Sequence, residues 1–254
     1  DWFDIVELNK GIVVYISFGT NLQHFSNTMG KLYNNLCSKS SSKSARKNNV
    51  WFLWSLARNS TLTKEKTSFT NCDESHLRIE HWVPQQSILN HPTVRLFVSH
   101  GGANSVHESL AEAVPVVVVP LGLDQFDVAS RLEAVGAGIK ITPSPFLSFF
   151  SSSTTVDDED LVQRIVDTTY ISLQNNELSK RARFVRDIFR GSRGVQGAVD
   201  YIEEIATLGW HHRIPIQWRC YVPSYKKYSS SSSSCSTLET MLCMFGCEDL
   251  PVVL

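Results

Sequence analysis

The chain lacks an excess of charge of either sign. Its 254 residues carry 24 basic and 25 acidic side chains, which gives a formal net charge of −1 at pH 7. Without a long-range field of one sign, nucleic acid and anionic membrane surfaces are not expected as partners. The six cysteines include no CxxC pair, which argues against a structural zinc site or a dithiol redox site. We expect all six to be core or surface thiols.

Long apolar runs and targeting signals are also missing. The apolar residues 116–119 lie between Pro115 and Pro120, and such a run is far shorter than the about 20 residues that a membrane-spanning helix needs. The apolar carboxyl end contains Glu239, Glu248 and Pro251, so a spanning helix is not predicted there either. The chain opens at Asp1 without a charged and then apolar segment, so the sequence indicates no compartment by itself.

What the sequence does contain is a series of short runs rich in β-branched and aromatic residues. They predict strands at residues 11–18, 50–56, 77–80, 95–99 and 116–119. Helix-length or loop-length segments separate these runs, and such alternation predicts a parallel sheet with helices on both faces. After residue 155 the pattern becomes helical, with helices predicted at 157–170, 175–189 and 195–208 that pack over the sheet.

Two segments have the composition of loops rather than of a core. Residues 38–49 are polar, basic and of low complexity, and residues 229–234 are all serine. Such stretches are typical of solvated loops and flexible linkers. We therefore predict a folded domain at residues 1–215 and a low-complexity, poorly ordered tail at 216–254.

An anion site is predicted where the fourth strand meets the next helix. The strand runs into His100, Gly101 and Gly102, and the helix is predicted to begin near Asn104 or Ser105. Free backbone amides and the positive end of the helix dipole converge at such a point, which suits a diphosphate without requiring a metal ion. A Gly-Gly turn alone is a weak signal, because such turns also serve purely steric ends.

The segment from Trp82 to Gln125 makes the signal specific. Its Trp, Pro-Gln, His, His-x-Gly, Asn-Ser, Glu and Asp-Gln elements span 44 residues. In length and register it resembles the plant secondary-product glycosyltransferase signature, with its animal and fungal counterparts in the UDP-glycosyltransferase family. About ten typed positions at fixed spacing do not arise by accident as a lone short motif does. The resemblance covers residues 11–215 and implies an α/β fold, the Rossmann-like carboxy-terminal half of a GT-B glycosyltransferase.

By this resemblance, four residues bind the nucleoside of a UDP-sugar. Trp82 stacks on uracil, the backbone of Val83 bonds the base edge, Gln85 contacts the ribose, and Glu108 accepts hydrogen bonds from the ribose hydroxyls. Two alternatives stay open. Trp82 could be a buried core aromatic, and Ser105-x-x-Glu108 also matches a capping box, in which Glu108 bonds back to the helix start.

The resemblance also implies contacts to the diphosphate and the sugar. The diphosphate is held by His100, Gly102, Asn104 and Ser105, with His100 stabilising the leaving group. Thr20, in a Phe-Gly-Thr turn like the family's Phe-Gly-Ser/Thr loop, adds a hydroxyl from the other side. Asp124 and Gln125 bind sugar hydroxyls, and glutamine in the last position favours glucose-type donors. The inner histidine of the segment, His91, is expected to be structural.

The segment departs from the family pattern at two places. Ala113 stands where a glycine often precedes Val-Pro, and Gly122-Leu123 replaces the usual residues before Asp-Gln. We expect both changes to reshape the sugar pocket slightly.

The implied activity is metal-independent, inverting transfer of a hexosyl or glucuronosyl group from a UDP-sugar to a small lipophilic acceptor, without a cofactor. In the family an amino-terminal domain supplies the acceptor pocket and the base that deprotonates the acceptor. We therefore expect no catalytic base in this chain and an acceptor half outside it, on the same polypeptide or as a separate subunit. A non-enzymatic nucleotide-binding protein is the remaining alternative. Membrane association stays possible without a transmembrane helix here, in the cytoplasm or at the endoplasmic reticulum.

Overall fold

The computed structural model describes residues 1–19, 26–40, 49–56, 76–142 and 158–209. Thr20 and the tail predicted at 216–254 lie outside these ranges. The chain divides into two compact units, Asp1–Gly191 and Ser192–Leu254. Among the described residues of the second unit, Gly194–Leu208 form one helix. The domain boundary predicted near residue 215 stays a prediction.

Strands and helices alternate along the first unit. In chain order they are α1 (Trp2–Leu8), β1 (Ile12–Ser17), α2 (Ser26–Ser40), β2 (Val50–Ser55), β3 (Leu77–Glu80), α3 (Gln85–Leu89), β4 (Val94–Ser99), α4 (Ala103–Ala111), β5 (Val116–Val118), α5 (Gln125–Val135), β6 (Gly138–Lys140), α6 (Asp158–Gln174) and α7 (Asn176–Gly191). The helix described in the second unit is α8 (Gly194–Leu208). The five predicted strands and the three late helices are all present. The elements α1, α3, α5 and β6 were not predicted.

The strands form one sheet in the order β3-β2-β1-β4-β5-β6, and every neighbouring pair is parallel. The predicted parallel sheet is therefore confirmed. The direction in which strands are added along the sheet reverses between β1 and β4. Strands β2 and β3 lie on one side of β1, whereas β4, β5 and β6 lie on the other. Open α/β sheets bind ligands in the crevice beyond the carboxyl ends of the strands at this switch point.

Helices cover both faces of the sheet, as predicted. On one face, α2 and α6 supply Leu32, Leu36 and Ile165 to a core with alternate residues of the strands. The other face receives α1, α3, α4, α5 and α7, with Val106 of α4 and Val185 of α7 in its core. Strand β5 is buried along its whole length, as expected for a central strand with helices on both sides.

One prediction about the cysteines is wrong. Cys37 is disulfide-bonded, although its position in the sequence indicated a thiol. It is buried on α2. Disulfide pairing depends on the distance between two Cα atoms in the fold, which isolated cysteines in a sequence do not reveal.

Helix α4 ends in a turn whose left-handed residue is Ala113, with a φ of 61°. The amide of Ala113 donates to the carbonyl of Leu110 at 3.0 Å, and the amide of Val114 donates to the carbonyl of Ser109 at 2.9 Å. This pair of bonds defines a Schellman motif, whose left-handed position is usually glycine. The departure from the family pattern at Ala113 therefore places an L-residue where glycine fits better.

We expect Ala113→Gly to raise the free energy of unfolding by about 0.5–1 kcal/mol, because relief of left-handed strain outweighs the extra entropy that glycine loses on folding. The midpoint of thermal unfolding should rise by about 1–4 °C for a unit of this size. The matched control is Ala111→Gly at the last helical residue of α4, which should destabilise the protein. Equal destabilisation by both changes would contradict a left-handed role for residue 113.

Candidate functional site

The turn after β4 lies at the switch point and depends on glycine. Gly101 has a φ of 88°, and a Cβ at this position would lie 2.5 Å from Cγ1 of the buried Val118. The amide of Gly101 donates to Oγ of Ser99 at 3.2 Å. Both the left-handed backbone and the close approach of β5 therefore require glycine here.

Helix α4 begins directly after this turn. It starts at Ala103 with Gly102 at the N-cap position, and within the described ranges no side chain caps it. The first-turn amides, including those of Asn104 and Ser105, have no acceptor within the helix. The helix starts one or two residues earlier than the predicted Asn104 or Ser105. The expected cluster of free amides at the carboxyl edge of the sheet is confirmed.

The His100 ring is held between two glycine backbones. Its Nε2 lies 3.1 Å from an ideal Cβ position at Gly19 and 2.7 Å from that at Gly102, so a side chain at Gly102 would collide with the ring and one at Gly19 would crowd it. Burial lowers the pKa of His100, while a hydrogen bond with the Ser17 backbone and the charge of Asp124 act in the opposite direction. The imidazole is therefore largely neutral at pH 7. The ring thus lies between the turns that follow β1 and β4.

Beside α4, Gln85 and Glu108 form a polar cluster. Nε2 of Gln85 donates to Oε2 of Glu108 at 2.7 Å and to Oγ of Ser105 at 3.2 Å. Oε1 of Gln85 accepts from the hydroxyl of Tyr15 at 3.2 Å. The sequence prediction missed Tyr15. The sequence offered one indication of its role. Tyr15 lies two residues before Ser17 on β1, so both side chains lie on the same face of the sheet.

The capping-box alternative for Glu108 is wrong. Ser105 is the third residue of α4 rather than its N-cap, so Glu108 lies in the second turn. Its carboxylate bonds to Gln85 of another helix instead of returning to the helix start. One carboxylate oxygen of Glu108 thus has its partner in Gln85, and further acceptor capacity remains for a ligand.

The core-aromatic alternative for Trp82 is also wrong. The Trp82 side chain is 75% exposed and lies in the segment between β3 and α3. The next residue, Val83, packs against the core on the face that carries α4. An exposed indole beside a partly buried anchor offers a flat apolar surface on which a planar ring can stack.

The loop between β5 and α5 carries the two residues predicted to bind the sugar. Oε1 of Gln125 accepts from the amides of Leu121 at 2.7 Å and Gly122 at 3.1 Å. Only Nε2 of this side chain is therefore left to donate to a ligand. Asp124 is exposed, and its charge acts on His100. Leu123 has a φ of 54° and is 93% exposed, so the loop holds an L-residue in a strained conformation without burying its side chain.

The structure brings most predicted site residues to one edge of the sheet. Those joined by hydrogen bonds or ring contacts are Gln85, His100, Gly102, Ser105 and Glu108. Asn104 is exposed in the first turn of α4, next to Ser105. Thr20 lies outside the described residues, so its predicted role stays a prediction.

At the opposite edge of the sheet, His91 helps to anchor α1. Its ring lies 4.1 Å from that of Phe3, its Nδ1 contacts Oγ1 of Thr93 at 2.8 Å, and its Nε2 lies 3.7 Å from the Glu7 carboxylate. These contacts are those of a structural residue, as expected.

A cavity of about 180 Å³ lies at that same edge. Its lining includes Arg95, Arg183 and Arg186. Glu112 is also part of the lining, and Arg186 forms an ion pair with Asp187 at 2.9 Å. The cavity lies away from the crevice.

The described part of the chain shows neither a metal-binding cluster nor a membrane-spanning helix. No group of three His, Cys, Asp or Glu side chains there could hold a metal ion. None of the helices in those ranges has the length and apolarity that crossing a bilayer requires.

Comparison with known proteins gives concordant matches. The family model described as "UDP-glucoronosyl and UDP-glucosyl transferase" matches residues 7–157. UDP-glycosyltransferase 1 of Phaeomoniella chlamydospora is 33% identical over 134 residues, which are 53% of this chain and 27% of that protein. UDP-glucuronosyltransferase 3A1 of Bos taurus is 46% identical over 66 residues, 26% of this chain and 13% of that protein. The chain thus matches about a quarter or less of the length of these relatives.

Among solved structures, Os79 from O. sativa in complex with UDP and deoxynivalenol-3-glucoside is similar with a TM-score of 0.60 and 21% identity. The similarity covers 82% of this chain and 44% of that one. At this identity the match concerns the fold alone. It confirms the predicted Rossmann-like half of the GT-B architecture.

Proposed function

The chain belongs to the family of UDP-glucuronosyl and UDP-glucosyl transferases, and we propose that its crevice between β1 and β4 binds the UDP-sugar donor of a glycosyl transfer. The observation that carries the proposal is the juxtaposition of an uncapped helix N-terminus with the cluster of Gln85 and Glu108. The first suits a diphosphate and the second a ribose.

The phosphate end of the proposed site is built from uncharged groups. The first-turn amides of α4 and the positive end of its dipole attract the diphosphate, and His100 adds a donor beside them. Negative charge grows on UDP as the bond to the sugar breaks, so fixed donors at this point favour the transition state. Because these groups come from the chain itself, we propose that donor binding needs no divalent metal.

The nucleoside end is proposed to lie between Trp82 and Glu108. The exposed indole would stack on uracil, the backbone of Val83 would bond the base edge, and the Glu108 carboxylate would accept from the ribose hydroxyls. Base stacking on an aromatic side chain contributes about 1–3 kcal/mol. Asp124 and Nε2 of Gln125 would then meet hydroxyls of the sugar, with glucose as the favoured donor.

For the complete reaction we propose inverting transfer of a hexosyl or glucuronosyl group to a small lipophilic acceptor. Direct displacement needs a base to take the proton of the acceptor hydroxyl. We propose that this base and the acceptor pocket come from another part of the protein or from a separate subunit. A donor subunit of a split enzyme and a non-enzymatic nucleotide-binding protein share this crevice, and reconstitution of transfer with an acceptor half distinguishes them.

Titration calorimetry of the chain with UDP and UDP-glucose, in EDTA and then in excess Mg²⁺, tests the proposal. We expect saturable binding of equal affinity in both buffers, and binding of ADP at least about tenfold weaker, since a purine cannot pair with the Val83 backbone as uracil does. A strict requirement for Mg²⁺ or Mn²⁺ would contradict metal-free binding. Equal affinity for ADP would contradict the uracil site.

The neutral state of His100 predicts a pH dependence of donor binding. A bound diphosphate should raise the pKa of His100, which burial lowers in the free protein. Affinity should therefore rise as the pH falls through the higher, bound pKa, and level off below the free pKa. Each unit between the two values corresponds to about tenfold in affinity.

UDP-glucose is the suitable ligand for this measurement, because its diphosphate is a diester and does not titrate between pH 5 and 8. We expect severalfold tighter binding at pH 5.5 than at pH 7.5, with thermal unfolding monitored at both values. His100→Gln should bind with little pH dependence. The same pH dependence in the variant would assign the effect to another group.

The two ends of the Gln125 carboxamide can be tested separately. Gln125→Glu keeps an oxygen for the amides of Leu121 and Gly122 but removes the Nε2 donor, whereas Gln125→Ala removes both. If Nε2 binds the sugar, Gln125→Glu should lose affinity for UDP-glucose by about fivefold, the value of one hydrogen bond, and keep its affinity for UDP. Gln125→Ala should also lower the thermal midpoint. If Gln125→Glu binds UDP-glucose with the same affinity as the wild type, the role of Gln125 is limited to bonding the backbone of its own loop.

A further inference from the structure

Strand β1 carries a polar group that reaches the nucleoside end of the crevice from inside the sheet. Tyr15 is 1% exposed, and its ring is stacked on that of Phe97 in β4, with centroids 4.9 Å apart. The hydroxyl is the one polar group of this packed side chain, and buried tyrosine hydroxyls need a hydrogen-bond partner. That partner is Oε1 of Gln85, at 3.2 Å.

The contacts with Tyr15 and Glu108 together fix which way the Gln85 carboxamide points. With Oε1 toward Tyr15, Nε2 faces Glu108 at 2.7 Å and Ser105 at 3.2 Å. The last torsion of a glutamine side chain is soft and roughly two-fold, so nothing within Gln85 itself selects this orientation. In the flipped state its oxygen would face the Glu108 carboxylate, acceptor against acceptor, and Glu108 would lose its donor.

The Tyr15 hydroxyl lies in polar surroundings, with the side chains of Ser17 and Ser55, at the ends of β1 and β2, acting on it. Burial raises the pKa of Tyr15, the charge of Glu108 adds to the rise, and the two serines oppose it. The hydroxyl therefore stays protonated and remains a hydrogen-bond donor toward Gln85.

We propose that Tyr15 is a positioning residue of the ribose subsite, which orients Gln85 and, through it, the carboxylate of Glu108 toward the ribose hydroxyls. A carboxylate held in one orientation presents adjacent lone pairs to the neighbouring 2′ and 3′ hydroxyls of a ribose. The chain thus discriminates ribonucleotides from 2′-deoxyribonucleotides through a contact that originates in its core. This inference rests on the proposed function, since it requires a nucleoside at this place.

Tyr15→Phe tests the inference, because it removes the hydroxyl and keeps the ring on Phe97. We expect UDP to bind about fivefold more weakly, the value of one hydrogen bond, and the preference for UDP over 2′-deoxy-UDP to shrink. The matched control is Tyr33→Phe, which removes a hydroxyl from a buried tyrosine of α2 on the other face of the sheet. The control should keep both the affinity and the preference.

A double-mutant cycle separates positioning from a merely structural effect. In a Gln85→Ala background, Tyr15→Phe should change UDP affinity by less than about twofold, since the residue through which Tyr15 acts is gone. Equal losses in both backgrounds, or an unchanged ribose preference in Tyr15→Phe, would overturn the inference. If Tyr15→Phe fails to fold, Gln85→Ala alone decides, because an unchanged ribose preference in that variant removes the link to Glu108.

The cycle also distinguishes the failure of this inference from failure of the proposed function. A wild-type chain that binds no UDP sinks the proposed function itself. A wild-type chain that prefers UDP over its deoxy analogue, together with a Tyr15→Phe variant that behaves identically, sinks only the role of Tyr15.

Discussion

Replacement of Trp82 by alanine is expected to weaken UDP binding by about 1–3 kcal/mol, which is about fivefold to more than a hundredfold in affinity. The side chain is 75% exposed, so its removal leaves no cavity and thermal stability should barely change. Trp82→Phe keeps a smaller flat ring and should lose only part of the affinity. Titration calorimetry with UDP and differential scanning calorimetry measure the two effects on the same samples.

The control for Trp82→Ala is Phe184→Ala on α7, another exposed aromatic side chain whose neighbours Arg183 and Arg186 line the cavity at the opposite edge of the sheet. It should leave UDP binding unchanged. Full UDP affinity in Trp82→Ala would contradict stacking on uracil. A large loss of stability without loss of affinity in the folded fraction would mean that the indole acts on the fold.

Gly101→Ala should affect both stability and binding. An L-residue at the φ of 88° costs about 1–3 kcal/mol, and the new Cβ would lie 2.5 Å from Cγ1 of Val118. Val118 is fully buried in β5, so the turn rather than the strand must move. Since this turn sets the position of the α4 amides, we expect UDP affinity to fall at least about tenfold and the thermal midpoint to drop by several degrees.

Gly122→Ala is the matched control for Gly101→Ala. Nothing lies within 4 Å of a Cβ at Gly122, and its φ is not in the left-handed region, so the variant should resemble wild type. The combination Gly101→Ala/Val118→Ala separates clash from backbone strain. If the clash matters, the double variant is more stable than the sum of the single effects predicts. Strict additivity would assign the whole effect to φ.

Strands β1, β2, β4 and β5 could be predicted because each is an apolar run that is mostly or wholly buried. Strand β6 could not, because its three residues include Gly138 and Lys140 and form no apolar run, so that it is a strand only through its pairing with β5. Helix α1 was missed for a related reason. Its sequence mixes acidic and aromatic residues, and its position depends on contacts such as that between Trp2 and Trp51.

The site was predictable where its residues are close in sequence. The turn of His100, Gly101 and Gly102 follows from a strand, two glycines and a helix in succession. The partner of Glu108 did not follow, since Gln85 is 23 positions away and Tyr15 is a further 70 positions from Gln85. The hydrogen bonds of Gln125 to its own loop could not be predicted either. A glutamine suits both a local bond to backbone amides and a contact to a ligand, so the residue type does not distinguish the two.

The order of the helices has a consequence for synthesis on the ribosome. Helices α6 and α7 come last in the first unit, yet each contributes to the core on a different face of the sheet, Val166 on one and Val185 on the other. A nascent chain that has emerged only as far as β6 carries the six strands of the described sheet but leaves apolar surface on both faces in water. Such surface promotes aggregation, so folding of this unit must await the emergence of α7, and chaperones that shield apolar sheets would act in that interval.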